Sequence, residues 1–358
     1  MIRLILAIPA ILLLLTACVR EEILDRQTLF IACAIDEAPD DGIELTIAAP
    51  KYASGKSKAA TDVTLSNIGR TSLGIKEIMA NRTETPISFG KLSVVLFGRP
   101  LATNGLRHEL DELLRYPRTS RKMLLAVVDG KAGPLLESGF SKEREKGMFL
   151  LHLLRTNEKQ GLTPVLNLHE FNYAYVGQGM DPYLPLLTIT KDEATISGIA
   201  LFKGDKLVDT LDVKQMRLMT LLLNRVNHGA FEAKDERGND AVMLNRRSRA
   251  KYRLFAGPNG PGVTIDLAIR GEIAETQGER LTEQSLNKLE ERFEAELGAM
   301  GTGIIRKFQQ KGIDPLGLGE FVRSRTRGWR EAEWMARYRA LNVRLNVDVK
   351  LVETGIMK

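Results

Sequence analysis

The sequence is poor in cysteine and histidine, the residues that most often bind transition metals or carry covalent chemistry. It has two cysteines and four histidines in 358 residues, and it contains no Cys-x-x-Cys pair. None of the histidines has the spacing of a His-x-x-x-His zinc motif; they are His108, His152, His169 and His228. We therefore expect no zinc site and no intrachain disulfide, and we interpret the histidines as surface or capping residues.

Motifs for nucleotide binding and for hydrolysis are also missing. The chain has no Gly-x4-Gly-Lys-Ser/Thr phosphate loop and no Gly-x-Ser-x-Gly nucleophile elbow. Gly298, Gly301 and Gly303 fall inside a helical pattern and not after a strand. This placement favours close helix packing, with a kink of the helix, over dinucleotide binding. We predict no cofactor and find no positive sign of an enzyme.

Long hydrophobic runs are missing from the body of the chain, and the one apolar run lies at its start. After the basic start Met1-Ile2-Arg3, residues 4–15 are apolar and contain a single proline. Twelve residues are too few to cross a hydrocarbon core of about 30 Å, which takes about 20 helical residues. A basic start, a short apolar run and small residues before a cleavage site are typical of a secretory signal.

The end of this run resembles a lipobox, Leu15-Thr16-Ala17-Cys18. In a lipobox the cysteine thiol receives a diacylglycerol, and the chain is cut just before that cysteine. We predict that Cys18 is the lipidation site, with S-diacylglycerol and N-acyl groups, and that Cys18→Ser or Cys18→Ala abolishes anchoring. The alternative is an ordinary signal peptide with a chance cysteine.

Composition is that of a folded protein with a mild positive charge, 44% hydrophobic and 27% charged with a net charge of +6. Basic residues concentrate in two stretches, 246–253 and 323–339. The charge is too small and too dispersed to indicate nucleic acid binding. We interpret both stretches as solvated faces, with contacts to anionic lipid or to a partner protein as the alternative.

Apolar periodicity predicts an alternation of strands and helices in the first half. We predict a hairpin across an acidic turn. Its strands are residues 30–35, with Cys33 as a small core residue, and the alternating residues 43–47. A strand over 92–97, a helix over 106–116 and a strand over 123–128 predict a parallel pair in a sheet covered on both faces.

The second half is predicted to contain long helices and strands with one solvent-exposed face. Thr282 begins a long helix that Gly312 ends. Residues 341–351 alternate strictly between apolar and polar side chains, which we interpret as a strand of an antiparallel sheet. A cluster of breakers, Pro182-Tyr183-Leu184-Pro185, places a domain boundary near residue 185.

The predicted fold is α+β and multi-domain, with small mixed or antiparallel sheets that are each packed with helices. We divide the chain into a lipoprotein signal peptide (1–17), a tether (18–28), an α/β-like N-terminal domain (29–185) and a C-terminal domain (186–358). The C-terminal domain is expected to combine an antiparallel sheet with long helices.

The order of short motifs resembles the Ger(x)C family, the lipoprotein C subunits of nutrient germinant receptors in endospore-forming bacteria. The resemblance runs over essentially the whole chain after Cys18. The motifs that carry it are Thr71-Ser72-Leu73-Gly74, Phe89-Gly90-Lys91-Leu92, Asp181-Pro182 with Leu184-Pro185, Gly198-Ile199-Ala200-Leu201-Phe202-Lys203, and Asp314-Pro315-Leu316-Gly317-Leu318-Gly319. This sequence departs from the family at the lipidation site, where Ala17-Cys18-Val19 replaces Gly-Cys-Trp, and at Lys91, which replaces a histidine.

The resemblance implies a non-catalytic subunit on the outer face of the spore inner membrane, held there by its lipid. Its implied partners are the A and B membrane subunits of the receptor, and the implied role is receptor assembly or signalling in germination. The nutrient pocket of this family is assigned to the B subunit, so we do not expect this chain to bind the nutrient. The alternative is an extracytoplasmic solute-binding lipoprotein of an uptake system, which would have two similar parallel α/β lobes.

Overall fold

The structure is a computed structural model that describes most of the chain beyond the predicted signal and tether segments. The described residues are 28–51, 61–116, 119–138, 145–164, 166–190, 193–223, 226–234, 238–257, 260–276 and 282–352. Cys18 and the predicted signal segment lie outside them.

A mixed eight-stranded sheet forms the first part of the fold, in the spatial order β10-β9-β8-β7-β6-β2-β3-β4. Its strands are β2 (Ala32–Ala38), β3 (Gly42–Lys51), β4 (Thr61–Gly69), β6 (Val94–Gly98), β7 (Leu124–Val128), β8 (Tyr183–Thr190), β9 (Glu193–Lys203) and β10 (Lys206–Asp212). Two short strands, β1 (Thr28–Leu29) and β5 (Ile87–Ser88), pair separately. The predicted hairpin is confirmed as β2 against β3, and the predicted parallel pair as β6 with β7.

Helices cover both faces of this sheet because its central strands are apolar on both sides. They are α1 (Ser72–Ala80), α2 (Arg99–Asn104), α3 (Arg107–Arg115), α4 (Gly133–Glu137), α5 (Lys146–Lys159) and α6 (Leu168–Val176). One face packs on α1, α2, α3 and α6, and the other, rich in alanine, packs on α4 and α5. Cys33 is a buried core residue as predicted, and burial raises the pKa of its thiol to about 12.

A four-stranded sheet forms the second part of the fold, in the order β11-β12-β13-β14. Its strands are β11 (Ala230–Lys234), β12 (Asp240–Gly257), β13 (Gly260–Thr276) and β14 (Val343–Val352). The helices of this part are α7 (Val213–Leu223), α8 (Glu283–Lys311), α9 (Leu318–Arg323) and α10 (Glu331–Tyr338). The α+β, multi-domain fold class is therefore confirmed.

The last strand alternates as predicted, but its predicted antiparallel pairing is wrong. β14 runs parallel to β13, with Val263 opposite Val343 and Glu272 opposite Val352. Parallel neighbours need a long crossover connection, and the segment from Thr276 to Val343 supplies one that carries α8, α9 and α10. The C-terminal sheet is therefore mixed, and its only antiparallel pairs among the described residues are β11 with β12 and β12 with β13.

The long helix begins and ends as predicted, and α8 runs without interruption through its three glycines. Thr282 caps its start by accepting the N–H of Ser285, and Gly312 ends it in the left-handed conformation, with φ 65°. Gly301 meets β14 closely, since a Cβ there would overlap Leu345 Cδ2. The predicted close packing therefore applies to this glycine.

The two sheets share part of the C-terminal core. Ile199 and Leu201 of β9 and Leu211 of β10 belong to the same buried cluster as α7 and α8. The neighbouring residues Ala200 and Phe202 face the core of the eight-stranded sheet. Residue 185, the predicted domain boundary, falls within β8, and its role as a boundary stays a prediction.

Candidate functional site at the junction of the two sheets

The one site residue predicted from the sequence, Cys18, lies outside the described residues, so its role stays a prediction. The four histidines are all exposed, as expected for surface residues. Within the described ranges, no group of three or more His, Cys, Asp or Glu side chains is placed to hold a metal ion. One of the buried charged side chains among the described residues, Asp314, lies at the junction of the two sheets.

Asp314 is the centre of this junction and is 1% exposed. Its carboxylate accepts hydrogen bonds from the N–H groups of Leu318 at 3.0 Å and Gly319 at 2.7 Å. The hydroxyl of Tyr338 donates a longer bond of 3.5 Å to the same carboxylate. The side chain therefore satisfies the first N–H groups of α9, which have no partner within the helix.

Asp181 joins this centre to the eight-stranded sheet. Its carboxylate accepts the N–H of Asp314 at 2.8 Å and the N–H of Gly204, in the turn between β9 and β10, at 3.2 Å. The N–H of Asp181 donates in return to the carbonyl oxygen of Asp314 at 3.0 Å. Residues far apart in the sequence are thus held by reciprocal bonds.

Glycines allow the two backbones to meet at this junction. Gly317 has φ 66°, in the left-handed region that favours glycine. A Cβ on Gly319 would lie 2.6 Å from Gly179 Cα and 2.5 Å from the indole nitrogen of Trp334. The Gly179 carbonyl oxygen accepts the N–H of Glu320 at 2.9 Å. The Asp-Pro-Leu-Gly-Leu-Gly motif is therefore a close-packing and capping motif.

The electrostatics of the junction are dominated by burial. Burial raises the pKa of Asp314 to about 7, against the opposing effect of the Gly319 and Leu318 N–H donors, and the nearby Asp181 carboxylate adds to the rise. Burial also raises the pKa of Asp181, while the N–H groups of Asp314 and Gly204 oppose the rise. The Asp314 group can thus change its charge near neutral pH.

A cavity of about 180 Å³ lies beside this junction, between α6 and the loop that carries Asp314. Its lining is mostly apolar, with Tyr173, Met180 and Pro315 among its walls and Glu170 and Asp181 as its acidic members. This volume is below the roughly 300–1,000 Å³ of sites that enclose drug-sized ligands. The cavity fits a few water molecules or a small side chain.

Sequence reasoning found the motifs of this junction but missed what they do. Asp181-Pro182 and the glycine-rich motif at 314–319 appeared only as parts of a family resemblance. The signal that could have indicated their role is an aspartate followed by alternating glycines ahead of a short helix, which is typical of a capped, closely packed turn. Nothing in the sequence indicates that the two aspartates meet.

Comparisons with known proteins agree with the order of these motifs. The family model described as the spore germination protein N-terminal domain matches residues 20–189, and the model described as spore germination B3/GerAC-like, C-terminal, matches residues 197–355.

Two curated proteins and one solved structure are similar to the chain. The spore germination protein GerQC of Bacillus cereus is 28% identical over 96% of both chains. The putative spore germination protein YfkR of Bacillus subtilis (strain 168) is 22% identical over 74% of this chain and 71% of its own. The crystal structure of the GerBC protein has the same fold, with a TM-score of 0.62 at 18% identity, over 89% of this chain and 96% of that chain. Because the two family models follow one another along nearly the whole sequence, this chain belongs to the Ger(x)C family of spore germination proteins.

Proposed function

We propose that this chain is the lipid-anchored, non-catalytic C subunit of a nutrient germinant receptor, acting beside the A and B membrane subunits on the outer face of the spore inner membrane. The observation that carries the proposal is the match of both germination-protein domains, in order, over residues 20–189 and 197–355. The role assigned to the subunit is receptor assembly or signalling.

The position of Cys18 supports the anchor. The lipobox-like segment ends at residue 18, two residues before the first family domain begins at residue 20. In the described part of the chain, no helix combines the length and the apolar character needed to span a bilayer. A lipid on Cys18 would therefore tie the folded part to the membrane by a short tether and raise its effective concentration near membrane partners.

The junction supports a structural role over a catalytic one. Both oxygens of the Asp314 carboxylate accept hydrogen bonds from the protein, and both oxygens of Asp181 do the same. Carboxylates that are used in this way hold backbone groups of the two halves together, which is a structural role. A subunit that links membrane partners needs a rigid body of this kind.

The alternative of a solute-binding lipoprotein receives no support from the architecture. That function calls for two similar parallel α/β lobes with a ligand cleft between them. The two sheets described here differ in strand number, direction and helical cover.

The anchor is tested by comparing the two cysteines of the sequence. Cys18→Ala should abolish incorporation of labelled palmitate and move the protein from the membrane to the soluble fraction of disrupted cells. Cys33→Ala is the matched control, because Cys33 is buried in the core, and it should leave labelling unchanged. Labelling that persists in Cys18→Ala would contradict the anchor.

The receptor role is tested with spores that lack this gene. Germination should be lost for at least one nutrient and restored by the wild-type gene. An affinity-tagged chain solubilised in mild detergent should bring the A and B subunits with it. A chain that purifies alone from spore membranes, in spores that germinate normally without it, would contradict the role.

A further inference from the structure

The three long strands of the C-terminal sheet expose one face that no described helix covers. Their inner side chains, such as Ile265, Leu267 and Val349, belong to the C-terminal core. The alternate side chains point to the other face, where Arg249, Ala268 and Asp348 lie in register across the three strands and are all exposed. We call this surface the outer face of the β12–β14 sheet.

The strands of the outer face carry more basic than acidic side chains. The eight basic residues are Arg246, Arg247, Arg249, Lys251, Arg253, Arg270, Arg344 and Lys350, and the five acidic ones are Asp240, Asp266, Glu272, Glu275 and Asp348. Their net charge of +3 equals half of the net charge of +6 of the whole chain.

Several of these cations have no partner among the described residues. Arg253 pairs with Asp266 at 2.7 Å, Arg246 pairs with Glu272, and Lys350 reaches Glu290 of α8. No described ion pair or side-chain hydrogen bond involves the side chains of four others: Arg247, Arg249, Lys251 and Arg270. In register, Arg247 lies opposite Arg270 and Arg270 opposite Lys350. Like charges placed opposite one another destabilise a sheet, so a counter-charge from outside would stabilise it.

The face lacks the apolar anchors of a protein–protein interface. Such interfaces concentrate their binding energy in a few aromatic or arginine anchors that are packed in buried pockets, whereas the arginines of this face are exposed. Phe255 is the one aromatic side chain on this face in the described part of the strands. It is already occupied, because it covers Gly262 and Arg344 lies over its ring at 4.1 Å.

The other basic stretch, 323–339, has a different character. Arg323 pairs with Glu320 at 2.7 Å, Arg330 pairs with Glu333, and Arg337 donates to the Pro261 carbonyl oxygen at 2.8 Å. These three cations and Arg325, which donates to the Phe321 carbonyl oxygen, are used within the fold. Arg327 and Arg339 have no ion pair or side-chain hydrogen bond among the described residues, against four such cations on the sheet.

We propose that the outer face of the β12–β14 sheet binds the anionic headgroups of a phospholipid bilayer. Each Lys or Arg near an anionic membrane surface contributes attraction with little need for shape complementarity, which suits a broad sheet surface of long, unpaired cations. The interaction goes beyond the lipid anchor, since it uses residues of β12–β14 alone. A lipid-anchored chain with this face would be held at two points and would have a fixed orientation.

The test uses the chain from residue 19 onward, which contains both family domains and every described element but lacks Cys18. Cosedimentation is measured with vesicles of phosphatidylcholine and with vesicles of equal parts phosphatidylcholine and phosphatidylglycerol. The wild-type chain should bind only the anionic vesicles. Binding should weaken as salt rises from 0.1 to 1 M, because the screening length falls from about 10 Å to about 3 Å.

The variant is the triple replacement Arg247→Glu, Arg249→Glu and Lys251→Glu. It should bind the anionic vesicles at least about 100-fold more weakly, since each basic residue contributes about fivefold. The control, Lys91→Glu with Arg121→Glu and Lys122→Glu, makes the same change in net charge on exposed positions of the other half and should stay within about threefold of wild type.

Circular dichroism verifies that each variant is folded. If the triple glutamate variant is not, the corresponding triple glutamine variant replaces it and, having lost the same three basic groups, should still bind about 100-fold more weakly. Equal binding to both kinds of vesicle, or wild-type binding by a folded triple variant, would overturn the proposal. So would the absence of vesicle binding together with retention on an acidic polypeptide that the triple variant loses, which would indicate an acidic protein partner.

Discussion

The eight-stranded and four-stranded sheets differ in how many of their faces are covered by helices. In the first, β6 and β7 are buried at every position, and helices cover both faces. In the second, β14 alternates between packed and exposed side chains, and the cover lies on the inner face alone. The N-terminal sheet therefore has little face left for a partner, whereas the C-terminal sheet offers a broad one.

The first and largest test compares neighbouring residues in the two sheets. Leu96→Ala and Phe97→Ala should each lower the free energy of unfolding by about 2–5 kcal/mol, because both side chains are fully buried on opposite faces of β6. In β13, Leu267→Ala should cost a similar amount, but Ala268→Thr should change stability by less than about 0.5 kcal/mol.

Urea denaturation of the chain from residue 19 measures these differences. A low cost at either Leu96 or Phe97 would mean that one face of the eight-stranded sheet is not tightly covered. A high cost at Ala268 would mean that the outer face of the β12–β14 sheet is packed.

The second test concerns the junction that holds the halves together. The pKa of Asp314 is raised to about 7 in the folded chain, above the value of about 4 for an unfolded aspartate. The folded state therefore binds an extra proton between these values. Its stability should fall as pH rises from about 4 to about 7, by up to about 1.4 kcal/mol per pH unit from this group.

Asp314→Asn removes this titration. Denaturation at several pH values measures the unfolding free energy of both proteins. As pH rises through that window, wild type should lose stability relative to the variant. Asp129→Asn is the control, because this exposed residue pairs with Arg99 at the surface. A difference that does not vary with pH would show that Asp314 is ionised throughout.

The third test addresses how closely α8 approaches the inner face of the four-stranded sheet. Gly301→Ala should destabilise the chain by about 1–3 kcal/mol, because its Cβ overlaps Leu345 in β14. Gly303→Ala is the matched control in the same helix. Its Cβ meets nothing within 4 Å, so the better helix propensity of alanine should stabilise the chain by up to about 1 kcal/mol. Thermal melting of both variants measures the contrast, and equal shifts would contradict it.

The smallest effect is expected at the edge of β14 that pairs with no other described strand. Glu294 accepts the N–H of Val349 at 2.9 Å, and Glu290 accepts the N–H of Leu351 at 2.8 Å. Glu294→Ala should cost about 1 kcal/mol and should increase self-association, because an unpaired edge is a template for another strand. Glu291→Ala, at an exposed neighbouring position of α8, should do neither. Denaturation and sedimentation velocity measure the two effects.

The sequence indicated elements whose signal is local. The apolar runs at 92–97 and 123–128 were sufficient for β6 and β7, and Thr282 and Gly312 marked the ends of α8 within one residue. The direction of β14 was missed, because alternation reports which side chains share a face and says nothing of the partner strand. The surface against which Gly301 packs could not be predicted, because its neighbour Leu345 lies in another element.

The candidate site depended on contacts that the sequence does not encode locally. Asp181 and Asp314 are separated by 133 positions, and their reciprocal bonds exist only once both halves are folded. The basic stretch of β12 was visible in the sequence, but Arg270 and Arg344 join it only through strand pairing. The charge of the outer face is thus a property of the sheet and not of one segment.

The parallel pairing of β14 also sets the order in which the chain can complete its fold. β14 is the last described element to be synthesised. It is the edge strand next to β13, and side chains of α8 bond to its outer edge. Until residues 343–352 have left the ribosome, one side of β13 has no partner and the apolar stripe of α8 has lost part of its cover. The eight-stranded sheet needs nothing beyond residue 212 for its strands. The C-terminal half is therefore the last to fold, and early termination of synthesis would leave Ile199, Leu201 and Leu211 of the first sheet without part of the core that they share with it.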